Sequence, residues 1–302
     1  MRPRRTCHAV PGSSERFLAK APTLDADEVF LDLEDAVAQS EKENARKLVI
    51  DALKTHDFGE KTVVVRVNGT DTPHYYRDLI DVVEQAGDRL HAIMLPKVRT
   101  PGDVEMTDKL LTQIELAKDL PHRIGIEAQI EDATGLVACE QIAAASPRME
   151  TLIFGPGDYS ADVGIPITTI GGAPEHYPGD HLNYVFSRLV VAARAAGIQA
   201  IDGPYAAFDD EDGLRQRARL ARALGMDGKW TIHPRQIEIV NEVFTPARED
   251  WERAEALLAA YKEATDAGRG AAMYDGEMID EANRRMAERL AEAGRAAGYT
   301  QT

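Results

Sequence analysis

The stretch 124–154, IGIEAQIEDATGLVACEQIAAASPRMETLIF, holds an apolar run, an amphipathic stretch and a second apolar run in that order. The runs 124–130 and 151–154 have the length and apolar character of buried strands, and 134–145 carries helical spacing between them. A strand, a helix and a second strand in close succession is the unit from which parallel sheets are wound. The same rhythm continues on both sides. Strands are predicted at 6–10, 28–33, 62–67, 92–95, 199–201 and 228–232, and helices at 41–55, 75–85, 103–117, 182–196 and 211–224. Ser13, Ser14, Ser40, Asp209 and Asp210 stand where helix N-caps are expected.

Eight strands alternating with helices predict an α/β protein, specifically a (β/α)8 TIM barrel, with an open doubly wound sheet as the alternative. No Gly-x-Gly-x-x-Gly follows the first strand, which weakens a dinucleotide-binding reading. Two regions break the rhythm. Residues 156–181 form a long Gly/Pro-rich loop after the sixth strand, of a length that usually marks a lid or binding element. After Asn241 the repeat ends in a helix at 249–264, a glycine-containing stretch with Gly268, Gly270 and Gly276 as hinges, and a last helix from Asp280. The expected division is a barrel over 1–245 and a helical extension over 246–302. The extension reads either as a lid or as a plain flexible tail.

The 302 residues suit one barrel of roughly 250 residues plus an appendage. Thirty-five basic against fifty-one acidic side chains give a net charge of −16, a field that disfavours nucleic acid and anionic membranes as partners. Residues 1–20 run the other way, with Arg2, Arg4, Arg5, Arg16 and Lys20 against Glu15 alone. Such a cluster suits a small polyanion, or is an ordinary solvated terminus. Cys7 and Cys139 are far apart and form no CxxC, which argues against a disulfide framework and fits a reducing cytoplasm. The basic start meets Val10, Pro11 and Gly12 without an apolar h-region, so no secretory signal is expected.

Polar residues collect where the predicted strands end: Asp32-Leu33-Glu34-Asp35, Arg66-Val67-Asn68, Pro96-Lys97, Glu131-Asp132, Asp158, Asp202 and His233. In a barrel this is the face on which the βα loops converge and active sites form. Separated carboxylates without clustered histidines point to a hard cation. No HxH or HExxH occurs, and His176 with His181 lacks a third partner, so zinc is disfavoured. Glu131 and Asp158 close consecutive strands and suit magnesium, or serve as anionic partners in structural salt bridges. Glu127 shares Glu131's parity but lies deeper. Arg66 is a candidate anion clamp, or a buried partner for Asp32 or Glu34.

The segments VPGSSERFLAKA, FLDLEDAVAQSEKENAR, VRVNGTDTP, MLPKV, IEDATGL, FGPGDYSADVG, AIDGPYAAFDDEDGL, GMDGKWTIHPRQI and NEVFTPARED together resemble the citrate lyase β-subunit-like family of aldolases. The matching motifs run in order from about Val10 to Asp280. TIGGAPEHYPGDHLNY and GKWTIHPRQI look like the family's malyl-CoA/β-methylmalyl-CoA lyase branch. The resemblance implies a magnesium-dependent carbon–carbon lyase, with manganese as a substitute ion and coenzyme A carried as part of the substrate. It implies cleavage of (S)-malyl-CoA to acetyl-CoA and glyoxylate, and of β-methylmalyl-CoA to propionyl-CoA and glyoxylate, in a homotrimer or hexamer. Alternatives are a citramalyl-CoA or citryl-thioester lyase, a malyl-CoA thioesterase, and a non-catalytic subunit that binds acyl carriers.

By the same resemblance, Glu131 and Asp158 match the magnesium ligands and Arg66 the substrate arginine. Glu34 and Asp35 match acidic groups near the metal's waters. Asp280 in GEMID matches an acid/base aspartate on a C-terminal lid that closes over a neighbouring subunit. Arg16 and Lys20 fall in the region associated with coenzyme A phosphates. Gly157 in GPGD departs from the family's more usual alanine and leaves Asp158 in place.

Overall fold

The computed structural model describes residues 2–174, 177 and 179–300; His176 lies outside the described residues. Two compact units divide the chain, Met1–Asn241 and Glu242–Thr302.

The first unit is a closed barrel of eight parallel strands in sequential order. They are β1 (Thr6–Pro11), β2 (Glu28–Asp32), β3 (Thr62–Arg66), β4 (Ala92–Leu95), β5 (Gly125–Ile130), β6 (Met149–Phe154), β7 (Gln199–Asp202) and β8 (Gly228–Thr231). The barrel closes by pairing β1 with β8, Cys7 opposite Trp230. Helices α1 (Glu15–Lys20), α2 (Lys42–Thr55), α3 (Tyr75–Ala86), α4 (Pro101–Lys118) and α5 (Ala133–Ala143) each follow one strand. Two helices, α6 (Pro156–Asp162) and α7 (Asn183–Ala196), follow β6; α8 (Glu211–Ala223) and α9 (Arg235–Phe244) follow β7 and β8. The segment expected to be a loop from residue 156 therefore opens as the short helix α6.

Alternate strand residues face the barrel interior, where Cys7, Phe30, Val64, Met94, Ile153 and Trp230 form a buried cluster. Two residues beyond Phe30 and Val64 stand Asp32 and Arg66, opposite each other in register and on the same side of their strands. The two-residue period thus puts a charged layer directly above the apolar one, toward the strands' C-terminal ends. Two residues the other way from Phe30, Glu28 forms a floor layer with Arg4 and with Glu127 of β5. Arg4 Nε lies 2.7 Å from Glu28 Oε2, and Nη2 lies 2.9 Å from Glu127 Oε1.

Part of the N-terminal positive charge is consumed there. Arg4 also donates to Gln199 and Glu150, Arg2 pairs with Glu150 at 3.2 Å, and Arg5 pairs with Asp27 at 2.7 Å. Of the five basic residues, only Arg16 and Lys20, exposed on α1, belong to an element that follows a strand's C-terminal end. The caps also sort themselves. Asp210 accepts from Gly213 N at 3.0 Å and starts α8 as expected, whereas Ser40 falls inside a 3-10 turn and Glu41 precedes α2.

The second unit holds α10 (Arg248–Asp266), an antiparallel hairpin of β9 (Ala272–Tyr274) and β10 (Glu277–Ile279), and α11 (Glu281–Ala296). Ala254, Ala287 and Ala291 let α10 and α11 approach closely, with Leu257, Leu258 and Leu290 beside them. Gly276, expected as a hinge, is instead in the two-residue hairpin turn, where Asp275 and Gly276 have φ of +50° and +80°. An Asp-Gly pair suits the type I′ turn that matches strand twist.

Candidate active site

Arg66 ends β3 with its guanidinium buried, 6% exposed. Its Nε and Nη2 donate to the two Asp32 oxygens at 2.7 and 2.6 Å, and Nη1 lies 3.0 Å from Glu34 Oε2. The ion-pair arrangement left open by the sequence is therefore present, and Nη1 also donates to Gln129 at 3.4 Å. Burial pushes the Asp32 carboxyl up, but Arg66 and the N–H groups of Glu34 and Ala36 prevail and hold it below the usual carboxylate range. Asp32 is thus the fixed charge that sets Arg66's orientation.

Glu34 is buried and raised, chiefly by desolvation, against the pull of Arg66 and Lys97. Lys97, one of the polar residues at the strand ends, follows β4 and carried no assigned role in the sequence reading. Its Nζ contacts Glu34 Oε1 directly and lies 3.4 Å from Asp35 Oδ1 and 3.9 Å from Asp158 Oδ2. Its main-chain N–H donates to Glu131 Oε1 at 2.7 Å. A single residue therefore touches the end of β2, the end of β5 and the first turn of α6, and it brings Glu131 and Asp158 to one rim.

Glu131 is 2% exposed and accepts a second bond from Gln129 Nε2 at 2.7 Å. Burial pushes its carboxyl up to about 8; Lys97 and Arg66 oppose this, while Glu34 and Asp158 add to it. Its neighbour Asp132 has a different task, capping α5 by accepting from Gly135 N at 2.7 Å and pairing with Arg99. Gly155 is what makes room for Glu131. A Cβ there would stand 2.3 Å from Glu131 Cβ and 2.5 Å from its Oε2. Asp158 sits in the first turn of α6, its side chain 52% exposed.

Other strand-end polar groups serve the scaffold. Asn68 donates to Asp78, Asp202 accepts from the buried Lys229 at 2.6 Å, and the His233 ring stacks on Phe208 at 5.0 Å. Glu127 belongs to the floor, at the other end of the barrel from Glu131. Asp280 is exposed and caps α11, its Oδ1 accepting from Ala282 N at 2.8 Å and Asn283 N at 3.2 Å. Two concavities lie elsewhere, one lined by Arg2, Glu150 and Gln199 and one between α10 and α11.

The rim carries five carboxylates, Asp32, Glu34, Asp35, Glu131 and Asp158, against the cations Arg66, Lys97 and Lys42, whose Nζ donates to the main-chain oxygens of Leu33 and Glu34 at 2.8 and 2.7 Å. The carboxylates outnumber the cations, and the buried Glu131 among them is costly to ionise without a further cation. Among the described residues no three His, Cys, Asp or Glu side chains form a ready metal cage. Two carboxylates on one rim fit magnesium, which takes one or two and fills its octahedron with water and substrate oxygens.

A parallel barrel with an acidic rim and one buried arginine defines the class, and comparison with known proteins places the chain within it. The chain belongs to the HpcH/HpaI aldolase/citrate lyase family, whose profile matches residues 5–234. It is 43% identical to the L-malyl-CoA/β-methylmalyl-CoA lyase of Cereibacter sphaeroides, over 95% of this chain and 93% of that protein. The (3S)-malyl-CoA thioesterase of the same species is 38% identical over 92% of this chain and 90% of its own. Among solved structures, CitE of Mycobacterium tuberculosis in complex with magnesium, acetoacetate and coenzyme A superposes with a TM-score of 0.75. It is 29% identical and covers 97% of this chain and 98% of that one.

Proposed function

We propose that this protein is a magnesium-dependent lyase that cleaves (S)-malyl-CoA to acetyl-CoA and glyoxylate and β-methylmalyl-CoA to propionyl-CoA and glyoxylate, reversibly. The observation that carries the reading is the rim itself: Glu131 and Asp158 meet through Lys97, with Arg66 fixed behind them. Support comes from the 43% identity to a lyase of that name.

Glu131 and Asp158 would hold the ion, with manganese as a substitute. When bound, magnesium supplies Lewis-acid stabilisation of the oxygen charge that develops as the carbon–carbon bond breaks. Arg66, held rigid by Asp32, sets a positive charge facing the same position without reorganising. Glu34 and Asp35 accept hydrogen bonds from water at the rim. Asp280 protonates the thioester carbon during cleavage and removes that proton in the condensation direction. Its exposed place in a C-terminal segment suits delivery to another chain's barrel, in a homotrimer or hexamer with the lid shared between subunits. Arg16 and Lys20 on α1 meet the coenzyme A phosphates. A cytoplasmic location belongs to the same proposal, in keeping with two cysteines that form no disulfide. No helix among the described residues is long and apolar enough to cross a membrane.

A panel of acyl-CoA thioesters, assayed with and without magnesium, tests this reading. Glyoxylate is the expected product. Pyruvate would mean a citramalyl-CoA lyase and oxaloacetate a citryl-thioester lyase. Free malate would mean the hydrolysis that the 38%-identical thioesterase's name describes. No turnover of any thioester would leave a non-catalytic acyl-carrier-binding subunit.

A further inference from the structure

Lys97 has a left-handed backbone, with φ of +51°, a conformation that L-residues rarely adopt. The turn aims its N–H at Glu131 and sends its ammonium across to the end of β2. There Glu34 has both oxygens engaged. Oε1 contacts Lys97 Nζ, while Oε2 lies 3.0 Å from Arg66 Nη1 and accepts from Asp35 N at 3.0 Å. Glu34 is nonetheless a buried carboxylate on the same rim as Glu131 and Asp158. Among the described residues Lys97 is the one group seen to hold its Oε1, so without that lysine this oxygen would be available as a further ligand.

We infer that Lys97 is a positioning residue that keeps Glu34 off the metal, limiting the protein to two carboxylate ligands and leaving positions open for a chelating substrate. The inference rests on the metal reading given under Proposed function. Its chemistry follows from magnesium's fixed octahedron: each added protein carboxylate fills a position that a hydroxy or keto acid needs and also weakens the Lewis acid. The strained turn and the bridging ammonium serve one end. The Lys97 N–H fixes Glu131, which would hold the ion, while its ammonium occupies the Glu34 oxygen that would otherwise compete for it.

The test is Mn2+ binding by calorimetry to the full chain, with glyoxylate binding to the Mn2+-loaded protein as second readout. In Lys97→Met, Mn2+ should bind about tenfold more tightly and glyoxylate at least about tenfold more weakly, as ligand charge rises and an open position is lost. Adding Glu34→Gln should cancel both changes, leaving the double variant within about threefold of Glu34→Gln alone, the signature of a coupled pair. Lys97→Gln repeats the comparison with a polar stem should methionine disturb the turn. Mn2+ affinity that is unchanged or weaker in both Lys97 variants overturns the proposal. So does tighter binding that persists in the double variant with glyoxylate binding intact, since that is plain relief of charge repulsion. A wild-type protein that binds no Mn2+ overturns the metal reading itself, a result distinct from either.

Discussion

At the scale of single residues, the site depends on groups that hold Glu131 as much as on Glu131 itself. Gly155 is the sharpest case, because a methyl group there meets the Glu131 side chain at 2.3 Å. Gly155→Ala should therefore weaken magnesium activation by about tenfold while the barrel stays folded, the effect expected of a group that orients a ligand. The magnesium concentration for half-maximal activity, with a circular dichroism melt as control, measures it. Glu131→Ala and Asp158→Ala should weaken activation further, and full activity of either in excess chelator would remove the metal from the account. Strand-end position made Arg66, Glu34 and Asp35 legible as candidates for the rim. Strand-end position and the family resemblance picked out Glu131 over Asp132, and the fold adds the physical difference, Glu131 bonded to Lys97 N at the rim and Asp132 capping α5. Lys97 was legible as a strand-end residue but not in its role. Its role comes from a left-handed turn that no residue type announces.

At the scale of elements, the alternation of apolar runs located all eight strands to within two residues, because buried parallel strands are near-continuous hydrophobic segments. Short elements escaped it. Helix α6 lies in a Gly/Pro-rich run that reads as loop, although Pro156 at its first position is a start signal. The β9–β10 hairpin escaped because two three-residue strands carry almost no period, although Asp275-Gly276 is a turn signature. The N-cap role of Asp280 separates two effects of mutating it. Asp280→Asn keeps an oxygen to cap α11 and should leave the unfolding transition unchanged, yet lower turnover by at least about a hundredfold, as loss of a general acid or base does. Asp280→Ala should add a stability loss of about 1 kcal/mol, read in urea denaturation. Equal turnover in Asp280→Asn and wild type would take Asp280 out of the chemistry.

At the scale of the whole molecule, the two ends of the barrel use charge differently. The rim keeps an excess of carboxylates, whereas the floor encloses Glu28 and Glu127 around Arg4, with Glu150, Gln199 and Cys7 facing the same group. Burial, and then the charge of Glu28, push the Glu127 carboxyl well above its usual range, against the pull of Arg4. The folded chain therefore binds more protons here than the unfolded chain does once pH exceeds about 4.3. Stability contributed by this group must fall as pH rises toward the folded-state value. Glu127→Gln removes the titration and should make stability flatter with pH and higher at neutral pH. Urea midpoints from pH 5 to pH 8 would show it, and parallel curves for the two proteins would refute it.

The account turns on one ion held jointly by Glu131 and Asp158. Crystals grown with Mn2+ and measured for anomalous scattering test this most directly. The account predicts a single peak at the barrel mouth about 2.1 Å from an oxygen of each carboxylate, with Glu34 still on Lys97. A peak touching neither side chain, or no peak at saturating Mn2+, would contradict it.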